Sequence, residues 1–283
     1  MQRSRQSLWI VLLALLALGG WTLAHRWLPR AGLAETNFQA NLIRLQAWMF
    51  EAPRTNAIIG SSLGGRLLVG NFAGTPLASL ANLALDGSGP ELGLRLVLAR
   101  SNPPPRIFIE VHRLGKPWTA NDETLLATLQ EPGFALAGRI PGLRADTRPT
   151  TLLYSWLKGR HEPVSPAAVL PSPSASTTAT NAATNTAKAT WLPRLAEQVA
   201  ELRRRGCEVI LLRLPVGREN PARPEAPNLA DELADKLGLK LIDLNREAAR
   251  RGLEMSYSDG LHLSPASART VCRLLVELTT APP

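Results

Sequence analysis

Hydrophobic and polar positions change their period three times along the chain. Residues 8–24, "LWIVLLALLALGGWTLA", run without a charge. Residues 34–51 then carry Phe38, Leu42, Leu45 and Met49 at helical spacing, which predicts an amphipathic connector within residues 31–53. After Pro53 short apolar runs alternate with helical patterns. The runs predict strands at Ala57–Ile59, Leu80–Leu85, Arg106–Val111, Glu208–Leu214 and Lys240–Leu244. Between and after them the spacing predicts helices at Glu91–Arg100, Trp191–Arg205, Asn228–Leu237 and Pro265–Leu278. That alternation is the pattern of an α/β fold, a three-layer, doubly wound parallel sheet filling residues 54–283. Ligands of such sheets bind beyond the carboxyl ends of the strands.

One stretch breaks the rhythm. Residues 164–190, "VSPAAVLPSPSASTTATNAATNTAKAT", are Pro, Ser, Thr and Ala with almost no large apolar side chain. Such a composition buries too little surface to offset its ordering entropy, so a flexible insertion is expected there. It falls between the third strand and the next helix, inside one domain rather than between two.

The uncharged run at the N-terminus is at the short end of a membrane span. Arg3 and Arg5 precede it, which predicts a cytoplasmic N-terminus. Residues 1–30 then form a single-pass anchor in the inner membrane, held through residues 8–24, with the rest extracytoplasmic. The rival is a signal peptide cleaved after "TLA", before His25, although Trp21 is unusual in such a segment.

The net charge of +9 raises the question of nucleic acid. The basic residues are scattered, however, and Arg203, Arg204 and Arg205 suit the last turn of a helix before Gly206. No nucleic-acid partner is therefore expected. Cys207 and Cys272 form no Cys-x-x-Cys motif and no His/Cys cluster, so no metal site is expected. Two buried thiols or a disulfide between them both fit.

Chemistry concentrates at two places. In "AIIGSSLGGRL", residues 57–67, an apolar run ends in Gly60, Ser61 and Ser62, as a strand delivering a small-residue turn to a helix. About 200 residues later stands "SYSDGLHLSPASART", residues 256–270, with Asp259 and His262 three apart. A serine nucleophile needs a base, and an imidazole needs a carboxylate to fix its tautomer. Asp-x-x-His on one turn supplies both. The competing reading makes Asp259 a turn cap and His262 a surface residue. Ser258 fits a turn and Ser264 a helix cap before Pro265. Of the four histidines, His25 abuts the apolar run and His161 the insertion, leaving His262 and His112, which follows "IFIEV".

These residues resemble the SGNH (GDSL-type) hydrolase superfamily, whose four blocks occur here in order. The first reads Gly60, Ser61, Ser62, Leu63, with Ser61 in place of the usual Asp. "NLALDG" gives Asn82 and Gly87 for the second, and His112 stands where the third has Asn. Asp259 and His262 make the fourth. The resemblance implies Ser62 as nucleophile, His262 as base and Asp259 as its orienting carboxylate. The oxyanion hole falls to the amides of Ser62 and Gly87 with His112, and no metal or organic cofactor is implied. It is closest to the membrane-anchored branch, similar to alginate O-acetylation accessory proteins and the teichoic-acid D-alanylation protein. That implies acyl transfer from an acyl donor to an envelope polysaccharide, or its O-deacetylation, beside a multispanning membrane O-acyltransferase. A lipase-like activity is the weaker fit, because no second apolar cluster suggests an acyl-chain groove. The alternative from another class is a catalytically degenerate scaffold or glycan-binding subunit of a polysaccharide modification or export complex, a reading His112 supports.

Overall fold

The computed structural model describes residues 2–24, 27, 34–160, 181–217 and 225–280. Five apolar runs become strands β1 (Asn56–Gly60), β2 (Leu80–Ala84), β3 (Arg106–Glu110), β4 (Glu208–Arg213) and β5 (Lys240–Asp243). All neighbours pair in parallel, in the order β2-β1-β3-β4-β5. The α/β class and the parallel sheet expected from the alternation are therefore present.

Parallel neighbours need crossovers, and helices supply them. In chain order they are α1 (Gln2–Ala24), α2 (Asn37–Phe50), α3 (Ser62–Gly65), α4 (Pro90–Leu98), α5 (Ala120–Gln130), α6 (Pro132–Arg139), α7 (Pro149–Arg160), α8 (Asn181–Arg204), α9 (Glu225–Leu237), α10 (Leu244–Arg250) and α11 (Pro265–Thr280). The chain steps from β1 outward to β2, then back across β1 to β3. Right-handed crossovers put successive helices on opposite faces when the direction of travel reverses.

Accordingly, one face of the sheet offers Ile58, Phe108 and Ile210 to a core shared with Leu63 of α3 and Val271 and Leu275 of α11. On the other face α4 lies so close to β1 that a Cβ at Gly93 would stand 2.9 Å from Ile59 Cβ. Every residue of β1 and β2 is buried, which is why these strands read as apolar runs without alternation. Register sets Gly60 beside Ala84 and Ile59 beside Ile109, so the carboxyl ends of β1, β2 and β3 lie side by side.

Contacts divide the described residues into two compact units. One takes the residues up to Glu51 together with 125–160; the other takes 52–124, 181–217 and 225–280. Residues 31–53 were expected to be only a connector, and residues 54–283 one domain. The difference has its cause in α2, which buries Asn41, Leu42, Leu45, Gln46 and Trp48. Such a face needs partners. Gln46 accepts the Ala145 amide at 2.7 Å, the Phe50 and Phe134 rings meet at a 45° tilt with centroids 5.7 Å apart, and Gly138 leaves room for Phe50. Arg144, largely buried, pairs with Glu51 at 2.8 Å.

In the same unit, α1 includes a window, Ser7–Ala24, with mean hydropathy 2.0 and none of it buried. It is long and apolar enough to cross a membrane, as the uncharged run suggested. Of the expected flexible insertion, residues 164–180 lie outside the described residues, as do His25 and His161. Residues 181–190 are instead the first turns of α8. Four alanines in that stretch, at 182, 183, 187 and 189, favour helix even without an apolar face.

Cys207 and Cys272 are both free and buried, so the disulfide left open by the sequence is not formed. Burial pushes the Cys272 thiol up to about 12 against a hydrogen bond with Asn71. Burial likewise raises Cys207, with nearby Arg205 opposing it. A thiolate is the reactive form. Native protein treated with a thiol-reactive disulfide at mildly alkaline pH is expected to stay unmodified, and both thiols are expected to react on unfolding. A rapidly titrating thiol in the native protein would contradict this packing.

Candidate functional site

β1 ends at Gly60 with φ +151, a conformation that L side chains rarely adopt. Ser61 follows in extended backbone as the N-cap of α3, its hydroxyl accepting the Leu63 amide at 3.5 Å. Ser62 is thus the first helical residue, at the carboxyl end of a central strand. The one turn of α3 is pressed against β2, since a Cβ at Gly64 would meet Ala84 Cβ at 2.8 Å. From β2 the buried Asn82 amide donates to the Gly64 and Leu67 carbonyls at 2.9 and 2.8 Å. Its own oxygen accepts the Ala84 amide at 3.0 Å. Asn82 therefore fastens the helix that carries Ser62.

The second part comes from the loop before α11. Tyr257 and Leu263 form an antiparallel bridge, and the Ser258 amide donates to the His262 carbonyl at 2.9 Å. The reversal is completed by Gly260 at φ +79. Asp259 Oδ1 accepts the amides of Leu261 at 3.1 Å and His262 at 2.7 Å. Ser264 caps α11 through the Ser267 amide at 3.2 Å. Ser258 and Ser264 thus have the turn and cap places expected of them.

Ser62 and this loop meet. His262 Nε2 lies 2.8 Å from Ser62 Oγ, and His262 Nδ1 lies 2.6 Å from Asp259 Oδ2. Asp259 is therefore a turn cap through one oxygen and the partner of an imidazole through the other. The His262 side chain is 15% exposed and that of Asp259 49%. Burial pushes the Asp259 carboxyl up, but the His262 amide, its ring and the Leu261 amide outweigh it, holding the group below its ordinary value. A Ser-His-Asp chain of hydrogen bonds can pass a serine proton to an imidazole whose tautomer the carboxylate fixes.

The other expected residues lie at neighbouring strand ends. Gly87 turns the chain after β2 with φ +78, and Lys116 Nζ donates to its carbonyl. Asn121 of α5 braces that turn through the Ser88 hydroxyl at 3.1 Å. His112 follows β3, its amide donating to Glu110 Oε1 at 2.6 Å.

Glu110 is the site residue that sequence reasoning passed over. It is fully buried, and its Oε2 accepts both the amide and the hydroxyl of Ser61, at 2.9 and 2.7 Å. The available signal was one acid in an otherwise apolar strand, "IFIEV". Among the described residues no group of three or more His, Cys, Asp or Glu side chains is placed to hold a metal ion. Neither a protein-family model nor a curated protein matches the sequence.

Because the Asp259 carboxyl is depressed in the folded chain, its pairing contributes stability above the ordinary carboxylate range, near 4. That contribution disappears as pH falls through the lowered value. The side chain is half exposed, so solvent screening limits the effect to about 1 kcal/mol. Urea unfolding of Asp259→Asn is expected to show that deficit near neutrality and a vanishing difference from the parent in acid. A deficit that persists or grows in acid would mean that the ionised carboxylate is not the source.

Proposed function

We propose that the protein is an extracytoplasmic, serine-dependent acyl-transfer enzyme of the SGNH type, held to the inner membrane by α1. The observation that carries the reading is the chain of hydrogen bonds at 2.8 and 2.6 Å from Ser62 through His262 to Asp259. Its setting supports the reading too. Ser62 follows β1, an interior strand of a parallel sheet in the order 2-1-3-4-5, beside the point where the direction of the crossovers reverses.

In the proposed reaction Ser62 Oγ attacks the carbonyl carbon of an acyl donor while its proton passes to His262 Nε2. The Ser62 and Gly87 amides, with the His112 ring as a third donor, hold the oxyanion. His262 then protonates the leaving oxygen, and an acyl-serine remains. A hydroxyl of an envelope polysaccharide, or water, gives its proton to His262 and attacks the acyl-serine, and His262 returns that proton to Ser62 Oγ as the acyl–oxygen bond breaks. Asp259 stays ionised throughout and stabilises the imidazolium. The donor reaches the site from a partner, for which a multispanning O-acyltransferase is the candidate. No metal or organic cofactor has a step in this scheme.

A second reading, a catalytically degenerate scaffold or glycan-binding subunit, is favoured by one feature: His112 stands where the resembling motif has Asn. The purified chain should release acetate from an activated acetyl ester. Ser62→Ala and His262→Ala are each expected to lower kcat by roughly 10⁴–10⁶, since nucleophile and base act as a unit. Asp259→Asn should cost up to roughly 10⁴. Loss of a donating His112 ring, in His112→Ala, should cost ~10²–10³. A Ser62→Ala chain equal to the parent, in the ester assay and in glycan acylation in cells, would leave the scaffold reading standing. Turnover that rises with His112→Asn would mean that the histidine degrades the site.

The anchor is tested separately. A reporter fused after Pro283 should be active only outside the cytoplasmic membrane, and the mature chain should begin at or near Met1. A soluble product beginning near His25 would instead identify residues 8–24 as a cleaved signal.

A further inference from the structure

The relay from Ser62 to Asp259 makes no use of the most deeply buried carboxylate at the site. Glu110 is the last residue of β3 and has no exposed surface. Strand pairing asks nothing of its side chain, because β3 pairs through its backbone. Yet its two oxygens accept three hydrogen bonds, two from Ser61 just before Ser62 and one from His112 just after β3. Oε2 takes the Ser61 amide at 2.9 Å and the Ser61 hydroxyl at 2.7 Å, and Oε1 takes the His112 amide at 2.6 Å. Room for it is made by Gly60, where a Cβ would stand 2.5 Å from Glu110 Cβ and 2.9 Å from Oε2. Burying a carboxylate is costly unless its oxygens are bonded, and bonds to a charged acceptor are the strong ones.

We propose that Glu110 is the positioning residue of this site, a buried clamp that fixes the Ser61–Ser62 turn and the His112 segment to one another. The proposal rests on Ser62 being the nucleophile. Ser61 is fixed at its amide and its hydroxyl, so Ser62, one residue on, starts α3 with Oγ directed at His262. Through Oε1 the same group holds the segment from which His112 would face the reacting carbonyl. The clamp also explains the residue at position 61. A hydroxyl there donates to Glu110, whereas the Asp of the resembling motif would set a second carboxylate against it, and two like charges in one buried place repel. Ser61 and Glu110 are therefore a matched pair.

The test uses the full chain in detergent, with kcat and KM for an activated acetyl ester and amide hydrogen exchange over residues 60–66 and 111–114. Glu110→Ala is expected to lower kcat by about 10²-fold, the scale of a misplaced reacting group, while KM moves far less. Exchange should rise in both segments. Glu110→Gln fills the same space and keeps one oxygen for Ser61, so it should recover part of the loss. Ser61→Asp should fall about as far as Glu110→Ala, and adding Glu110→Gln to it should raise kcat again, a non-additivity expected only of coupled residues. If Glu110→Ala does not fold, the Gln and Asp variants carry the test alone. An unchanged kcat well below the unfolding temperature, even with lowered stability, would overturn the proposal, as would additive effects in the double variant. Ser62→Ala separates the two readings. If that chain matches the parent in turnover, acyl transfer fails as the function. Exchange of Glu110→Gln against the parent then still decides whether the clamp exists.

Discussion

Strands β1 and β3 approach so closely at their carboxyl ends that residue 60 has no space for a side chain, because Glu110 occupies it. Much of the site follows from that approach. The glycine lets the backbone leave β1 at a positive φ, the buried Ser61 caps the next turn, and α3 begins at once. A second glycine, Gly64, brings the single turn of α3 down onto Ala84 of β2, and a third, Gly93, brings α4 down onto Ile59 from the other side. Helix backbone thus comes close to β1 and β2 on both faces of the sheet, at Gly64 and at Gly93. Such contacts leave little slack, since interiors are packed to the density of crystals and shift in discrete steps. A short turn of four residues would have no stability of its own. Here it is held by the sheet below it, by Asn82 through two carbonyls, and by Glu110 through Ser61.

Much of this was legible in the chain because its causes are local. Strands β1 to β4 carry runs of buried residues, β5 at the sheet edge is shorter and more exposed, and each was found to within about two residues of its ends. The Asp259–His262 spacing was legible for the same reason: a hairpin of this size brings residues three apart together whatever surrounds it. Two parts were not legible. In α5 and α7 the apolar residues lack a clean helical period, and α6, though amphipathic, is only eight residues long; in the unit that takes residues 125–160, buried polar groups such as Gln46, Asp146 and Thr147 share the packing with apolar ones. Glu110 escaped for a different reason. A single acid at the end of a strand ordinarily marks emergence into solvent, and only the neighbouring strand's turn makes it an interior acceptor.

The unit formed by α1, α2 and residues 125–160 obeys a different economy from the sheet. Its interior is pinned by polar contacts of high sequence separation, such as Gln46 to the Ala145 amide and Arg144 to Glu51. Buried polar groups of this kind are costly when half-satisfied but specify one arrangement when paired. That suits residues which follow a helix without a charge from residue 7 to residue 24. A wholly apolar interior next to α1 would offer many equivalent packings, whereas a glutamine with one amide to meet offers few.

Ser62 and His262 come from places 200 residues apart, yet their atoms must agree within a few tenths of an ångström for a 2.8 Å hydrogen bond. No ion pair joins these two elements at the site; the agreement is set from below. Leu63 follows Ser62 and Leu263 follows His262, and both are buried in the same core, 2% and 3% exposed. Ser62 and His262 each stand beside an apolar residue seated in a common packing. The hairpin that carries His262 is set from the other side by the Gly217 amide, which donates to the Leu261 carbonyl at 3.2 Å. Asp259 needs no long-range placement, because two backbone amides fix one of its oxygens and leave the other directed at the ring. Accuracy across 200 residues thus draws on the packing of these two leucines together with the bonds of Asn82, Glu110 and Gly217, and tight packing is what a parallel sheet covered on both faces supplies.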